Sequence, residues 1–293
     1  MGRDEAPPEA AGDAASANAV QPSAESGVVT LGMYDLPAVR AANDRLWAYL
    51  HDRLVAAGWR GVPERIDRVR PIDDALADPG LVLGHTCGYP LRTRFAGRLR
   101  VVATPDYRGP YASGGRHCSV VVVRRDDPAA DLAALRGRVA AVNGFDSNTG
   151  MNLLRAAVAP LAGGRAFFGG VLETGAHVAS LAAVSDGQAD VAAIDGVTFD
   201  LVARHMPDNV AGVRVLARTA DSPNLPLVTR ADAPDALVAA LRAALDEAAR
   251  APELAAAREA LGLTGFLVLP DGAYDRVLEL ERAAAAAGYP RLA

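Results

Sequence analysis

The chain contains no lysine: all 30 of its basic residues are arginine. That excludes Schiff-base chemistry and a Walker-type lysine on a nucleotide phosphate. Cysteine is scarce, with only Cys87 and Cys118 far apart, and no CxxC, HExxH or Cys/His cluster exists. A zinc site is therefore not expected. The two thiols could form one disulfide in an exported protein, but the plainer reading is two buried small apolar residues. No stretch approaches the ~18 uninterrupted apolar residues of a membrane span, so the chain is not expected to cross a bilayer. Blocks of basic charge are also missing. With 30 basic against 35 acidic residues and a net charge of −5, no nucleic-acid partner is expected. No GxGxxG follows a strand and Ser147 stands in no GxSxG, so a dinucleotide fingerprint and a nucleophile elbow are both absent. No motif implies a cofactor, and no catalytic nucleophile–base pair is legible.

What remains is an apolar chain of 293 residues, 51% hydrophobic and 22% charged. At ~150 residues per domain the length suggests two domains, and the composition excludes whole-chain disorder. Residues 1–27 differ, being rich in Ala, Pro, Ser and acids. They are expected to form a disordered N-terminal tail. They carry neither the basic n-region nor the apolar h-region of a secretory signal, and no early cysteine for a lipid anchor; read alone, that points to the cytoplasm.

From residue 28 onward strands and helices alternate. Apolar or β-branched runs at 28–33, 81–86, 98–104, 118–125, 138–143, 189–195, 212–219 and 225–230 read as strands. Ala42, Leu46, Leu50 and Leu54 recur every fourth residue and predict a helix over about 38–57, capped by Asp35, with Pro37 in its first turn and Gly58 as its stop. A shorter strand–helix pair follows, its helix opened by Pro71. Three helices close the chain, at 235–250, 253–261 and 274–287. The pattern predicts an α/β fold with mostly parallel sheets.

The turn Asn143–Gly144–Phe145–Asp146–Ser147–Asn148–Thr149–Gly150 joins a strand to a helix. Free N–H groups and a positive dipole at that helix start could bind an anion. The hydroxyls of Ser147 and Thr149 and the backbone N–H groups of Asn148, Thr149 and Gly150 could ring one tetrahedral oxyanion. Simple N-capping by Asp146 or Ser147 accounts for the same residues. His177 falls in the first turn of a later helix, where the dipole favours a neutral imidazole able to donate and accept; an ordinary surface histidine is the alternative. Asp195 ends the strand 189–195, a ligand-facing position in open α/β sheets, or else caps the helix after it. Tyr34 and Tyr89 also follow strand C-termini and could supply a hydroxyl, an apolar wall or ordinary packing.

Taken together, these residues resemble the phosphate/phosphite/phosphonate substrate-binding proteins of ABC transporters, which have the type 2 periplasmic-binding-protein fold. The likeness is carried by LGMYDLP (31–37), SNTG (147–150), TGAHVASLAAVSDGQADVAAID (174–195) and TADSPNLPLVT (219–229). The resemblance implies two lobes with a ligand cleft between them. It also implies an anion held by Tyr34, by Ser147, Asn148 and Thr149, by His177 and by Asp195, with no arginine assigned to it. CSVVVVRR (118–125) and GVRVLART (212–219) are the natural crossings between lobes. Lobe one then comprises 28–121 plus 216–293, and lobe two 122–215. The expected function is binding of a small tetrahedral oxyanion for an ABC-type uptake system, with a permease as partner. A cytosolic ligand sensor on the same fold is the alternative, and an enzyme ranks below both. The resembled family is exported, whereas the N-terminus reads as unexported.

Overall fold

The computed structural model describes residues 27–270 and 272–293. The expected tail at 1–27 lies outside the described residues except for Gly27.

Strand β1 (Val28–Thr30) leads through tight turns at Gly32–Tyr34 and Pro37–Val39 into α1 (Arg40–Ala56). Helix α1 buries Ala42, Leu46, Leu50 and Leu54, the stripe expected from the sequence, and Gly58 ends it at a φ of +88°. Asp35 does not cap this helix. Its carboxylate accepts instead from Arg68 (2.6 Å) and Asn43 (3.0 Å), and a guanidinium is a stronger partner than a backbone N–H. Helix α2 (Ile72–Ala77) follows Pro71, but the strand expected before it is not formed: residues 59–71 are irregular. Asp67 N reaches Val29 O (2.7 Å), yet Pro63 and Pro71 cannot donate to a ladder.

Next come β2 (Leu81–His85), α3 (Gly88–Arg92), β3 (Leu99–Tyr107) and the short strands β4 (Ala112–Ser113) and β5 (Arg116–His117). The middle of the chain holds β6 (Ser119–Arg124), β7 (Val139–Val142), α4 (Leu153–Ala162), β8 (Gly170–Glu173) and α5 (His177–Ser185). It continues with β9 (Val191–Asp195), α6 (Gly196–His205), α7 (Asp208–Ala211) and β10 (Val213–Arg218). The chain closes with β11 (Ser222–Pro223), β12 (Leu227–Arg230), α8 (Asp235–Arg250), α9 (Ala255–Leu261), β13 (Leu263–Leu267) and α10 (Arg276–Ala286).

Two five-stranded sheets result, ordered β1-β2-β12-β3-β13 and β10-β6-β9-β7-β8, with a small third sheet β11-β5-β4. The sheets are mixed rather than mostly parallel. Only β1–β2, β7–β8 and β7–β9 run parallel among the paired strands described. Apolar runs specify strands locally, whereas pairing direction depends on where the chain re-enters the sheet, which local pattern does not encode.

The fold is a two-lobed α/β arrangement. Around the first sheet, α1, α8 and α9 bury one core that includes Trp47, Leu50, Leu241 and Leu245. The second sheet is covered on both faces. Val121 and Val123 of β6 pack with α4, while Val120 and Val122 pack with α5 and α6. A strand buried on both sides needs an unbroken apolar run, which is why β6 reads SVVVVR. Ala284, Tyr289 and Leu292 from the chain's end join the α4 side of that second core. No helix among the described residues is long and apolar enough to cross a membrane.

Candidate ligand-binding site

A cavity of about 500 Å³ opens where the ends of the two large sheets face each other. Tyr34 and Cys87 reach it from the loops after β1 and β2. Asn143, Ser147, Thr149, His177 and Asp195 reach it from the second sheet. Arg94 pairs with both Asp73 and Asp146, which line the cavity from the first turn of α2 and the turn before α4.

The turn at 147–150 is built by one side chain. Ser147 Oγ accepts from Gly150 N (2.9 Å), the cap expected of a serine here. The chain then winds one wide turn over Asn148–Asn152, with Asn152 N bonded to Ser147 O (3.0 Å), before α4 begins. Gly150 lets Asn143 pack closely against the turn: a Cβ there would displace the Asn143 side-chain oxygen. Capping leaves the Ser147 O–H unused, because the oxygen accepts through a lone pair.

The predicted ring of amides is smaller than expected. Gly150 N is taken by Ser147 Oγ, and Asn148 N faces Cys87 Sγ at 3.4 Å. The Asn148 side chain turns away, donating to Ser222 Oγ (2.9 Å) and accepting from Asn152 (3.0 Å). Asn148 and Gly150 therefore build the turn and do not line the cavity.

Thr149 Oγ1 lies 3.0 Å from His177 Nε2, which ties the start of one helix to the start of another. His177 opens α5, and burial pushes its imidazole down to about 4 against a smaller opposing pull from Asp195. It is neutral at pH 7, as expected, with burial as the leading cause. The first N–H groups of α5 precede its first intrahelical bond, Ser180 N to Ala176 O (2.9 Å), and so remain free beside the cavity.

Asp195 satisfies both of its sequence readings. It ends β9 and is 1% exposed. Oδ1 caps α6 through Thr198 N (2.9 Å), and Oδ2 accepts from the Tyr34 hydroxyl (3.1 Å). Burial holds the Tyr34 phenol well above its usual value, and the Asp195 charge adds to this, so Tyr34 stays a donor. Gly196 follows because a Cβ there would strike Cys118 O and Tyr111.

Tyr89 does not line the cavity. Its hydroxyl donates to Glu281 Oε1 (2.6 Å) and its ring packs against the second core. A strand-end tyrosine points wherever its partner lies, and Glu281 is 192 residues away. Cys87 and Cys118 are both free, and burial pushes the Cys87 thiol up. The sequence reading passed over Thr86, Cys87, Asn143 and Thr198 as lining residues, although Thr86 and Asn143 follow strand C-termini just as Tyr34 does.

Electrostatically the site has an unusual balance. Among the described lining residues there are four aspartates and no arginine. Three helix starts converge there instead: the turn before α4, the first residues of α5, and α6 through Thr198. Their positive ends favour an anion, and Asp195 already occupies that of α6.

Comparison with known proteins agrees with this geometry. The family model described as "ABC transporter, phosphonate, periplasmic substrate-binding protein" matches residues 83–274. No curated protein matches the chain. Among solved structures, a Xanthomonas citri protein bound to ATP superposes with a TM-score of 0.66 at 22% identity, covering 90% of this chain and 98% of that one. A binding-protein component of an ABC phosphonate transporter from Pseudomonas aeruginosa gives 0.68 at 15% identity, covering 84% and 83%. PhnD1 from Prochlorococcus marinus, in complex with methylphosphonate, gives 0.65 at 14% identity, covering 83% and 93%. The fold is therefore that of the periplasmic binding proteins.

Proposed function

The chain belongs to the phosphonate substrate-binding family of ABC transporters, and from that premise we propose that its cavity holds one phosphorus oxyanion without turning it over. The family is one of transport binding proteins rather than enzymes. Supporting the reading is one observation above all: the turn before α4 and the start of α5 meet at a single cavity through the 3.0 Å contact of Thr149 with His177.

In this reading Ser147 Oγ, Thr149 Oγ1 and the first N–H groups of α5 donate to the anion. For Thr149 to donate to the anion, the neutral His177 carries its hydrogen on Nε2 and gives it to Thr149 Oγ1 (3.0 Å), which leaves the Thr149 O–H free. Tyr34 and Asp195 form the opposite wall. Neutral dipoles held in a dry cleft can hold an anion without a formal cation. Lobe one is proposed as 28–121 plus 216–293 and lobe two as 122–215, with residues 284–292 leaning across onto lobe two. The first large sheet is built only from 28–107 and 227–267, and the second only from 119–218, which supports two lobes divided in this way but with the boundaries at the start of β6 and the end of β10, a few residues outside 122 and 215. Closure between the lobes would be hinge motion, and an ABC permease is the proposed partner.

Thermal unfolding with methylphosphonate, phosphite and phosphate tests the ligand class. An anion at ~100 times its Kd adds about 2.7 kcal/mol, a shift of several degrees in Tm. No shift with any of the three would contradict the reading.

A further inference from the structure

A buried carboxylate inside an oxyanion site is a problem, because like charges repel. Asp195 is 1% exposed and lines the cavity. His117, also 1% exposed, lies behind it on β5, with Nε2 3.3 Å from Asp195 Oδ2.

The protons on His117 can be placed from its surroundings. Asn224 Nδ2 donates to Pro105 O (2.9 Å), which turns Asn224 Oδ1 toward His117 Nδ1 (2.9 Å). An amide oxygen only accepts, so Nδ1 carries a hydrogen. Nε2 has no hydrogen-bond partner unless a proton lies between it and Asp195. The alternative is a bare nitrogen lone pair directed at a carboxylate between two residues that are each 1% exposed, which is unfavourable.

We infer that His117 Nε2 and Asp195 Oδ2 share one proton, so that the pair carries no net charge and an oxyanion can be seated against it. His117 is thus a positioning residue that acts through Asp195. The groups around the pair fit this assignment. Tyr34 donates to the same oxygen and stays protonated. His85 and His177, the other imidazoles that sense Asp195, are both driven by burial to about 4 and remain neutral. Tyr107 is likewise kept protonated by burial. Of the three imidazoles, only His117 directs a ring nitrogen at the carboxylate among the described contacts.

The inference rests on the oxyanion reading, and the test separates the two. Methylphosphonate is titrated calorimetrically into the full chain, His117→Gln, Asp195→Asn and the double variant. Glutamine can still donate to Asp195 but leaves it anionic. The expected result is binding weakened roughly tenfold or more in His117→Gln. Asp195→Asn in the same chain should return the affinity to that of Asp195→Asn alone. A merely structural His117 would show no such rescue. In ¹⁵N-labelled wild type, His117 Nε2 should resonate as a protonated or proton-sharing nitrogen; this reading also decides the matter if His117→Gln fails to fold. Equal affinity in His117→Gln, or a free lone pair at Nε2, would overturn the inference. Absence of binding in the wild type would overturn the oxyanion reading instead, with the nitrogen shift still judging the shared proton.

Discussion

Tyr34 and Asp195 meet across the cleft: the phenol beyond the edge strand of one sheet donates, at 3.1 Å, to the carboxylate ending the central strand of the other. This contact joins the two walls of the cavity directly. Tyr34→Phe removes it and leaves Asp195 Oδ2 short of a donor. A hydrogen bond to a charged acceptor contributes about 1.5–3 kcal/mol, so Tyr34→Phe should weaken phosphonate binding by roughly tenfold or more by calorimetry. Small-angle scattering of the free variant should show a more open molecule. Unchanged affinity and shape would show that the contact does not hold the cleft.

Ser147→Ala and Thr149→Val each delete one hydroxyl aimed at the proposed anion. Each should cost about 1.5–3 kcal/mol of binding free energy, and Thr149→Val also breaks the part-buried bond to His177, which costs about 1–3 kcal/mol of stability. Ser147→Ala also loses a helix cap, worth about 1 kcal/mol of stability. Wild-type affinity in both variants would remove these hydroxyls from the site.

Tyr89→Phe serves as the contrast. Its hydroxyl bonds Glu281 away from the cavity, so the variant should lose about 1–2 kcal/mol in urea unfolding and bind methylphosphonate as the wild type does. A loss of affinity equal to that of Tyr34→Phe would return Tyr89 to the ligand.

Stability should respond to pH through two buried imidazoles. Burial holds His85 and His177 at about 4, below the ordinary 6.5. The unfolded chain therefore binds more protons than the folded one between those values. The contribution is complete above pH 6.5 and is lost progressively as pH falls toward 4, with a slope of up to about 2.7 kcal/mol per pH unit for the two groups. Urea midpoints at pH 7, 6 and 5 should fall in that order, and His85→Gln should flatten the slope by about half. A flat wild-type profile would contradict the burial.

The sequence made some of this architecture legible and hid the rest. Helix α8 was readable to the residue because an apolar stripe with period near 3.6 depends only on neighbours along the chain. The turn at 147–150, the His177 helix start and the strand ending at Asp195 were readable for the same reason. Strands β8 and β13 and the small sheet β11-β5-β4 went unread, because they are short and form only against distant partners. The direction of pairing in both large sheets, the turning away of Tyr89 and the diversion of Asp35 to Arg68 are likewise set by contacts far along the chain. His117 belongs with these. Its significance comes from Asp195 and Asn224, 78 and 107 positions away, and nothing in GGRHCS announces either.

The most direct measurement is a crystal structure of the protein with methylphosphonate. The account predicts a phosphorus atom in the cavity between the sheets, its oxygens about 2.5–3.0 Å from Ser147 Oγ, Thr149 Oγ1 and the first amides of α5. A ligand seated elsewhere, or one whose oxygens avoid those groups, would contradict it.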